Sequence, residues 1–90
     1  MNIEIILNEL LDLSRKGNGN DNVNPIVELL NELSLFVTSV QDVNLRQWVS
    51  DYANYWCNPQ NLINDMENFR IETGELIEGY NNLTMIDFEF

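Results

Sequence analysis

The sequence contains no histidine, one cysteine, two prolines and four glycines in 90 residues. Without histidine the commonest general base is missing, and neither a Ser–His nor a Cys–His pair can form within the chain. A single cysteine excludes an internal disulfide framework, and the same shortage excludes a Cys/His zinc site. No run of 18 apolar residues is present, so the sequence predicts no membrane-spanning helix. We therefore expect no enzymatic activity, no bound metal and no cofactor.

Basic residues are also scarce, since 4 Lys and Arg stand against 15 Asp and Glu and give a formal net charge of −11. This charge repels phosphates, so direct binding to DNA or RNA is not expected. The N-terminus lacks a basic region followed by an apolar one, which predicts no signal peptide and a cytoplasmic protein. Hydrophobic residues make up 44 % of the chain, which opposes disorder and favours a folded domain.

Apolar residues recur at helical spacing through the first half of the chain. Residues 2–16 form one predicted amphipathic helix, and residues 17–24 form a predicted flexible Asn/Gly loop. Asn24 and Pro25 resemble an N-cap and first helical position, so we expect a second helix from residue 25 to about residue 40. Its C-terminal end is rich in β-branched residues, which leaves that boundary open.

Two helix-start signals organise the second half. Asp42 is the predicted cap of a third helix, whose apolar stripe includes Trp48, Tyr52 and Trp56. Asn58 and Pro59 predict the start of a fourth helix whose period continues through residue 70. The segment 73–75 then allows two interpretations: a break at Gly74 with Thr73 capping a last short helix, or one continuous but weakened helix.

The C-terminal residues change pattern. Asn81 and Asn82 predict a turn, and residues 83–90 alternate between polar and apolar side chains, which predicts an extended tail. The sequence therefore predicts an all-α fold, a small bundle of four to five short helices with an extended C-terminal tail. We expect a single domain that spans residues 1–90.

Three local features suggest sites only weakly. Cys57 has no cationic neighbour in sequence that would activate its thiol. The oxygen-rich loop at 17–24 lacks the glycine and glutamate spacing of a calcium-binding loop. Residues 82–84 match the N-glycosylation triplet, which arises by chance in a chain this rich in asparagine.

Acidic residues are densest in the C-terminal third, where residues 59–90 carry seven acids against one base. Such a surface attracts a basic protein partner over long range, although a charge run is also typical of a face that only maintains solubility. Exposed aromatic residues beside acids are typical anchors of protein interfaces. The candidate partner-binding residues are Asp65, Glu67, Glu72, Glu75 and Glu78 for charge, with Tyr55 and Tyr80 as aromatic anchors.

In size, acidity and helical character the chain resembles bacterial immunity proteins and phage-encoded inhibitors that mimic DNA. This resemblance implies a small inhibitor that blocks a basic toxin or nucleic-acid-handling enzyme, with carboxylates in place of phosphates. No motif is shared, so the resemblance assigns no site residue. The alternative is a helical adaptor or a homo-oligomerisation module, such as a homodimer, in which the Leu-rich faces of residues 2–16 and 25–40 bind a partner's helices or a second copy. Salt discriminates between the two, because a carboxylate interface is salt-sensitive and an apolar one is not.

Overall fold

Five α-helices follow one another in the computed structural model, which describes residues 3–16 and 22–88, with side chains described up to residue 82. They are α1 (Ile3–Arg15), α2 (Val23–Phe36), α3 (Val43–Trp56), α4 (Pro59–Asn64) and α5 (Met66–Phe88), and a 3₁₀ turn at Val37–Ser39 follows α2. The all-α prediction is confirmed. Helix α5 has 23 residues and is about 34 Å long at 1.5 Å per residue.

The inward faces of the helices meet in one hydrophobic core. Helix α1 packs along α5 and α2, while α3 packs against α2, α4 and α5. The buried positions of the first two helices include Ile6, Leu7 and Leu10 from α1 and Ile26, Leu30 and Leu33 from α2, all at 0 % exposure. Their burial removes apolar side chains from water, which is the main force that holds helices of this length in place.

Helix α2 begins earlier than predicted. Its first residue is Val23, and Asn22 rather than Asn24 occupies the cap position. The Asn22 side chain does not cap α2 but donates to the carbonyl oxygens of Leu13 (2.8 Å) and Lys16 (2.6 Å) at the end of α1. Asn22 therefore closes one helix where the next begins. The rest of the predicted loop, residues 17–21, lies outside the described residues.

Both predicted caps in the second half are confirmed. The Asp42 carboxylate accepts a hydrogen bond from the Leu45 backbone nitrogen at 2.8 Å. The Asn58 side chain accepts one from the Gln60 nitrogen at 3.0 Å, with Pro59 at the first position of α4. Each cap satisfies a backbone donor that has no partner inside its own helix.

The predicted fourth helix is divided into α4 and α5 at Asp65, whose backbone leaves the helical region at φ −149° and ψ 50°. The Asp65 N–H still donates to the Asn61 carbonyl (3.0 Å), and its carbonyl accepts from the Phe69 N–H (3.2 Å). Asp65 therefore keeps a backbone hydrogen bond on each side of the junction although its own torsion angles are not helical. This turn lets Leu62 and Phe69 both be fully buried.

Helix α5 is continuous at every position where the sequence predicted that a helix could end. Of the two interpretations at Gly74, the continuous helix is confirmed. The predicted turn at Asn81 and Asn82 is wrong, and so is the extended tail for residues 83–88, which are helical. A glycine costs a helix only about 1 kcal/mol, and buried Phe69 and Leu76 anchor α5 on both sides of Gly74. Once anchored, a helix adds one hydrogen bond per residue, which outweighs the weak propensity of asparagine. Residues 89 and 90 of the predicted tail lie outside the described residues.

Candidate functional site

Glu72 on α5 accepts hydrogen bonds from both tryptophans of the chain. The indole nitrogen of Trp56 lies 2.7 Å from Glu72 Oε1, and that of Trp48 lies 3.2 Å from Glu72 Oε2. Trp56 is buried, whereas Trp48 and Glu72 are half-buried. An indole N–H that leaves water needs an acceptor, and a carboxylate is a strong one. Glu72 therefore joins α5 to α3 at two points.

The two tryptophans reach one carboxylate because α3 and α5 run in opposite directions. Trp56 packs edge-on against Phe69 of α5, with ring centroids 5.4 Å apart. Near the other end of α3, a Cβ built on Gly79 would lie 3.4 Å from the Trp48 ring. Glu72 lies between Phe69 and Gly79 along α5. Since its carboxylate already accepts two hydrogen bonds from α3, Glu72 differs from Glu67, Glu75 and Glu78, which were also predicted to bind a partner.

A buried chain of hydroxyl groups lies beside this contact. The Thr73 hydroxyl donates to the Phe69 carbonyl at 2.6 Å, so it must accept from the Tyr52 hydroxyl, which lies 2.6 Å away. Both side chains are fully buried. Burial raises the pKa of Tyr52 well above its ordinary value, and the nearby charge of Glu72 adds to the effect. Thr73 is therefore a core residue and not a helix cap.

Three of the predicted acids form the outer face of α5. Glu67, Glu75 and Glu78 are exposed, and their spacing of eight and three residues places them on one side of a helix. Ile71 lies on the same side and is 52 % exposed. Glu67 also contacts Arg70 at 3.8 Å, a weak pair because both side chains are largely in water. We call Glu67, Ile71, Glu75 and Glu78 the acidic face.

Asp65 lies apart from the acidic face, at the junction of α4 and α5. It is exposed, and its carboxylate accepts a hydrogen bond from the Asn68 side chain at 2.6 Å. This contact links the residue before α5 to a side chain in the first turn of the helix. The fold thus groups three of the five predicted acids on one surface. The other two, Asp65 and Glu72, accept hydrogen bonds from side chains of the protein itself.

The two predicted aromatic anchors have different surroundings. Tyr55 is 51 % exposed, and its ring packs edge-on against Trp56 with centroids 4.7 Å apart and an interplanar angle of 72°. Tyr80 is half-buried and packs against the core. Burial raises the pKa of Tyr80, and the charge of Glu4 on α1 raises it further. Tyr55 is therefore the more accessible of the two rings.

Other kinds of site find little support in the part of the chain that the structure describes. It contains no group of three or more acidic or cysteine side chains placed to hold a metal ion. The Cys57 thiol is half-buried and donates to the Asn54 carbonyl at 3.3 Å. Among the helices of residues 3–16 and 22–88, none is both long enough and apolar enough to cross a bilayer.

Comparison of the chain with protein-family models, with curated proteins and with solved structures found no match. Its function therefore has to be inferred from its own surface. The acidic face and Tyr55 are the candidate site. Sequence reasoning named all of these residues except Ile71. Its position two residues from both Phe69 and Thr73 places it on the opposite side of α5 from the buried stripe, and this spacing is the signal that could have identified it.

Proposed function

We propose that this protein is a small acidic inhibitor that binds a basic enzyme, such as a toxin, in the cytoplasm and blocks it without catalysis of its own. The observation that carries the proposal is the acidic face of α5, where three exposed carboxylates and an exposed isoleucine lie along one side of the helix, with Ile71 between Glu67 and Glu75. Charged residues around an apolar centre are the common pattern of a protein interface, in which the centre excludes water and the rim guides the partner.

The charge of the whole chain supports this role. A net charge of −11 on 90 residues attracts a basic partner from a distance and raises the rate of encounter. Little on α5 opposes that attraction, since Arg70 is the single basic residue between residues 59 and 90. Arg46 has a structural use in the fold, because its guanidinium donates to the Val40 carbonyl at 2.7 Å.

The density of charge favours an immunity-protein-like inhibitor over a nucleic-acid mimic. From Glu67 to Glu78 the acidic face extends about 16 Å at 1.5 Å per residue, so its three carboxylates are about 8 Å apart on average. Double-stranded DNA carries one charge for about every 1.7 Å of its axis. Carboxylates this far apart suit specific contacts with a few basic side chains. They are too widely spaced to imitate a phosphate backbone.

The alternative of a helical adaptor has less support. It requires the Leu-rich faces of α1 and α2, but Leu7, Leu10, Leu30 and Leu33 are fully buried within the chain. A partner could reach these leucines only after α1 or α2 had left the core. The exposed apolar side chains Ile5 and Leu35 lie on different helices and do not extend either face.

The test begins with capture of binding proteins from the source cell on the immobilised full chain, followed by elution with a salt gradient. We expect a basic enzyme that elutes at moderate salt and loses activity when the purified chain is added back. Recovery of this chain itself, in a salt-resistant complex, would favour the homodimer alternative. A captured enzyme whose activity does not change would count against inhibition.

A matched pair of variants separates the acidic face from overall charge. The first variant combines Glu67→Gln, Glu75→Gln and Glu78→Gln. The second combines Glu9→Gln, Asp12→Asn and Glu28→Gln, which neutralise three exposed acids on α1 and α2. Both variants remove three negative charges, so a loss of inhibition in the first alone would identify the acidic face. An equal loss in both would show that only net charge acts.

A further inference from the structure

We infer that Tyr55 is the recognition point for an arginine side chain of the basic partner, which stacks on the tyrosine ring and pairs with Asp51. This inference rests on the proposed function, because it names the partner group that the inhibitor recognises. It adds a second contact region at the end of α3, separate from the acidic face of α5.

The ring of Tyr55 is held in place by its contact with Trp56. It packs on Trp56, which is buried, and Trp56 is fixed in turn by Glu72 at 2.7 Å and by the Phe69 ring. The backbone of Tyr55 is held as well, because its carbonyl accepts a hydrogen bond from the Asn61 side chain at 2.8 Å. A surface ring that is already ordered loses little conformational entropy on binding, which is the property of an effective interface anchor.

The surroundings of Tyr55 favour a positive charge. Asp51 lies one helical turn before it and is exposed, so the two side chains are neighbours on the α3 surface. Tyr55 is in the last turn of α3, where the helix dipole is negative, and this turn contains no basic residue. A cation at this position would therefore meet a carboxylate, a helix C-terminus and the face of an aromatic ring together.

Arginine fits this combination better than lysine. Its planar guanidinium can stack on the ring and at the same time direct an N–H group at a neighbouring carboxylate oxygen. A lysine ammonium is a compact, strongly hydrated charge and has no flat surface to stack. Asp51 Oδ1 accepts from the side chain of Gln47, one turn before it, at 2.9 Å, so Oδ2 is the oxygen that would accept from the arginine.

The test uses the ¹⁵N-labelled full chain and two short blocked peptides that differ only in having arginine or lysine between glycines. We expect the arginine peptide to bind more tightly and to shift the backbone signals of Asp51 and Tyr55 and the indole signal of Trp56. Tyr55→Leu should weaken binding of the arginine peptide by about two- to tenfold, the range for a cation–aromatic contact. Tyr55→Phe keeps the aromatic ring and should bind the arginine peptide about as tightly as the wild type does.

Asp51→Asn should weaken arginine binding too, whereas Glu9→Gln removes an equal charge from α1 and should not. Equal binding of the two peptides, or unchanged binding by Tyr55→Leu, would overturn the assignment of Tyr55. Either result would leave inhibition of a captured enzyme intact, so it is distinguishable from a failure of the proposed function. Arginine binding at Tyr55 without any inhibited enzyme would support the site and count against the inhibitor role.

Discussion

Trp56 donates its indole hydrogen to Glu72 across the α3–α5 interface, over a distance of 2.7 Å between nitrogen and oxygen. The same carboxylate accepts the Trp48 indole through its other oxygen. These contacts join residues 16 and 24 positions apart in sequence, and they make the half-buried Glu72 a structural residue.

Substitution of Glu72 should destabilise the fold. Glu72→Gln replaces one of the two acceptor oxygens with an NH₂ donor, so one indole N–H loses its acceptor. The other indole then donates to a neutral amide oxygen instead of a charged carboxylate oxygen. We expect a loss of about 1–3 kcal/mol in the free energy of unfolding, measured by urea denaturation. Glu75→Gln, at an exposed position on the same helix, should change it by less than about 0.5 kcal/mol. Equal effects of the two variants would contradict the structural role of Glu72.

The buried hydroxyl chain should be sensitive to loss of its central member. Thr73→Val keeps the shape but leaves the Tyr52 hydroxyl without an acceptor, at an expected cost of about 1–3 kcal/mol. Tyr52→Phe leaves the Thr73 bond to Phe69 in place and should cost less. In the double variant no tyrosine hydroxyl is left unpaired, so its loss should be smaller than the sum of the single losses. Additive losses would show that the two hydroxyls do not act as a unit.

Alkaline pH should unfold the protein through its buried tyrosine. The pKa of Tyr52 is raised by burial above the value of about 10 that an unfolded chain has. The folded state therefore keeps a proton that the unfolded state loses, so stability is complete below pH 10 and falls as the pH rises. One such group lowers the free energy of unfolding by up to about 1.4 kcal/mol per pH unit.

The measurement is urea denaturation at a series of pH values between 8 and 12. Tyr52→Phe should reduce the slope above pH 10. Tyr80 should add a smaller contribution of the same sign, because burial raises its pKa as well. A slope that is identical in the wild type and in Tyr52→Phe would mean that another group controls alkaline unfolding.

The two glycines of α5 should respond differently to alanine. A Cβ at Gly74 meets no atom within 4 Å, so Gly74→Ala should stabilise the helix by about 0.5–1 kcal/mol. At Gly79 the added Cβ would lie 3.4 Å from the Trp48 ring, at the near limit of ordinary contact. Gly79→Ala should therefore gain less than Gly74→Ala. Thermal unfolding of both variants tests the difference, and a larger gain at Gly79 would contradict it.

Local signals accounted for the starts of α3 and α4. Asp42 and Asn58 cap their helices because a short polar side chain can reach a backbone N–H two or three residues ahead, a relationship contained within a few residues of sequence. The apolar period likewise identified the buried face of α1. These features could be predicted because each depends on near neighbours alone.

Features that depend on tertiary contacts were not predictable in this way. The break at Asp65 has no proline or glycine to mark it, and it forms where Leu62 and Phe69 are both buried. The alternation over residues 83–88 favoured an extended strand locally, yet an anchored helix continues through it. At the candidate site, the sequence identified the acids. It did not show that Glu72 has a structural role while Glu75 and Glu78 are exposed, because that difference depends on the position of α3.

The shared carboxylate also constrains how this sequence can evolve. An apolar residue at position 72 would remove the acceptor of two indoles at once, whereas a change at Trp48 or Trp56 leaves the carboxylate with one donor instead of two. An apolar residue at position 72 therefore requires that both tryptophans be replaced as well. Among descendants of a common ancestor, we therefore expect positions 48, 56 and 72 to covary, with glutamate at 72 lost only where both tryptophans have been replaced.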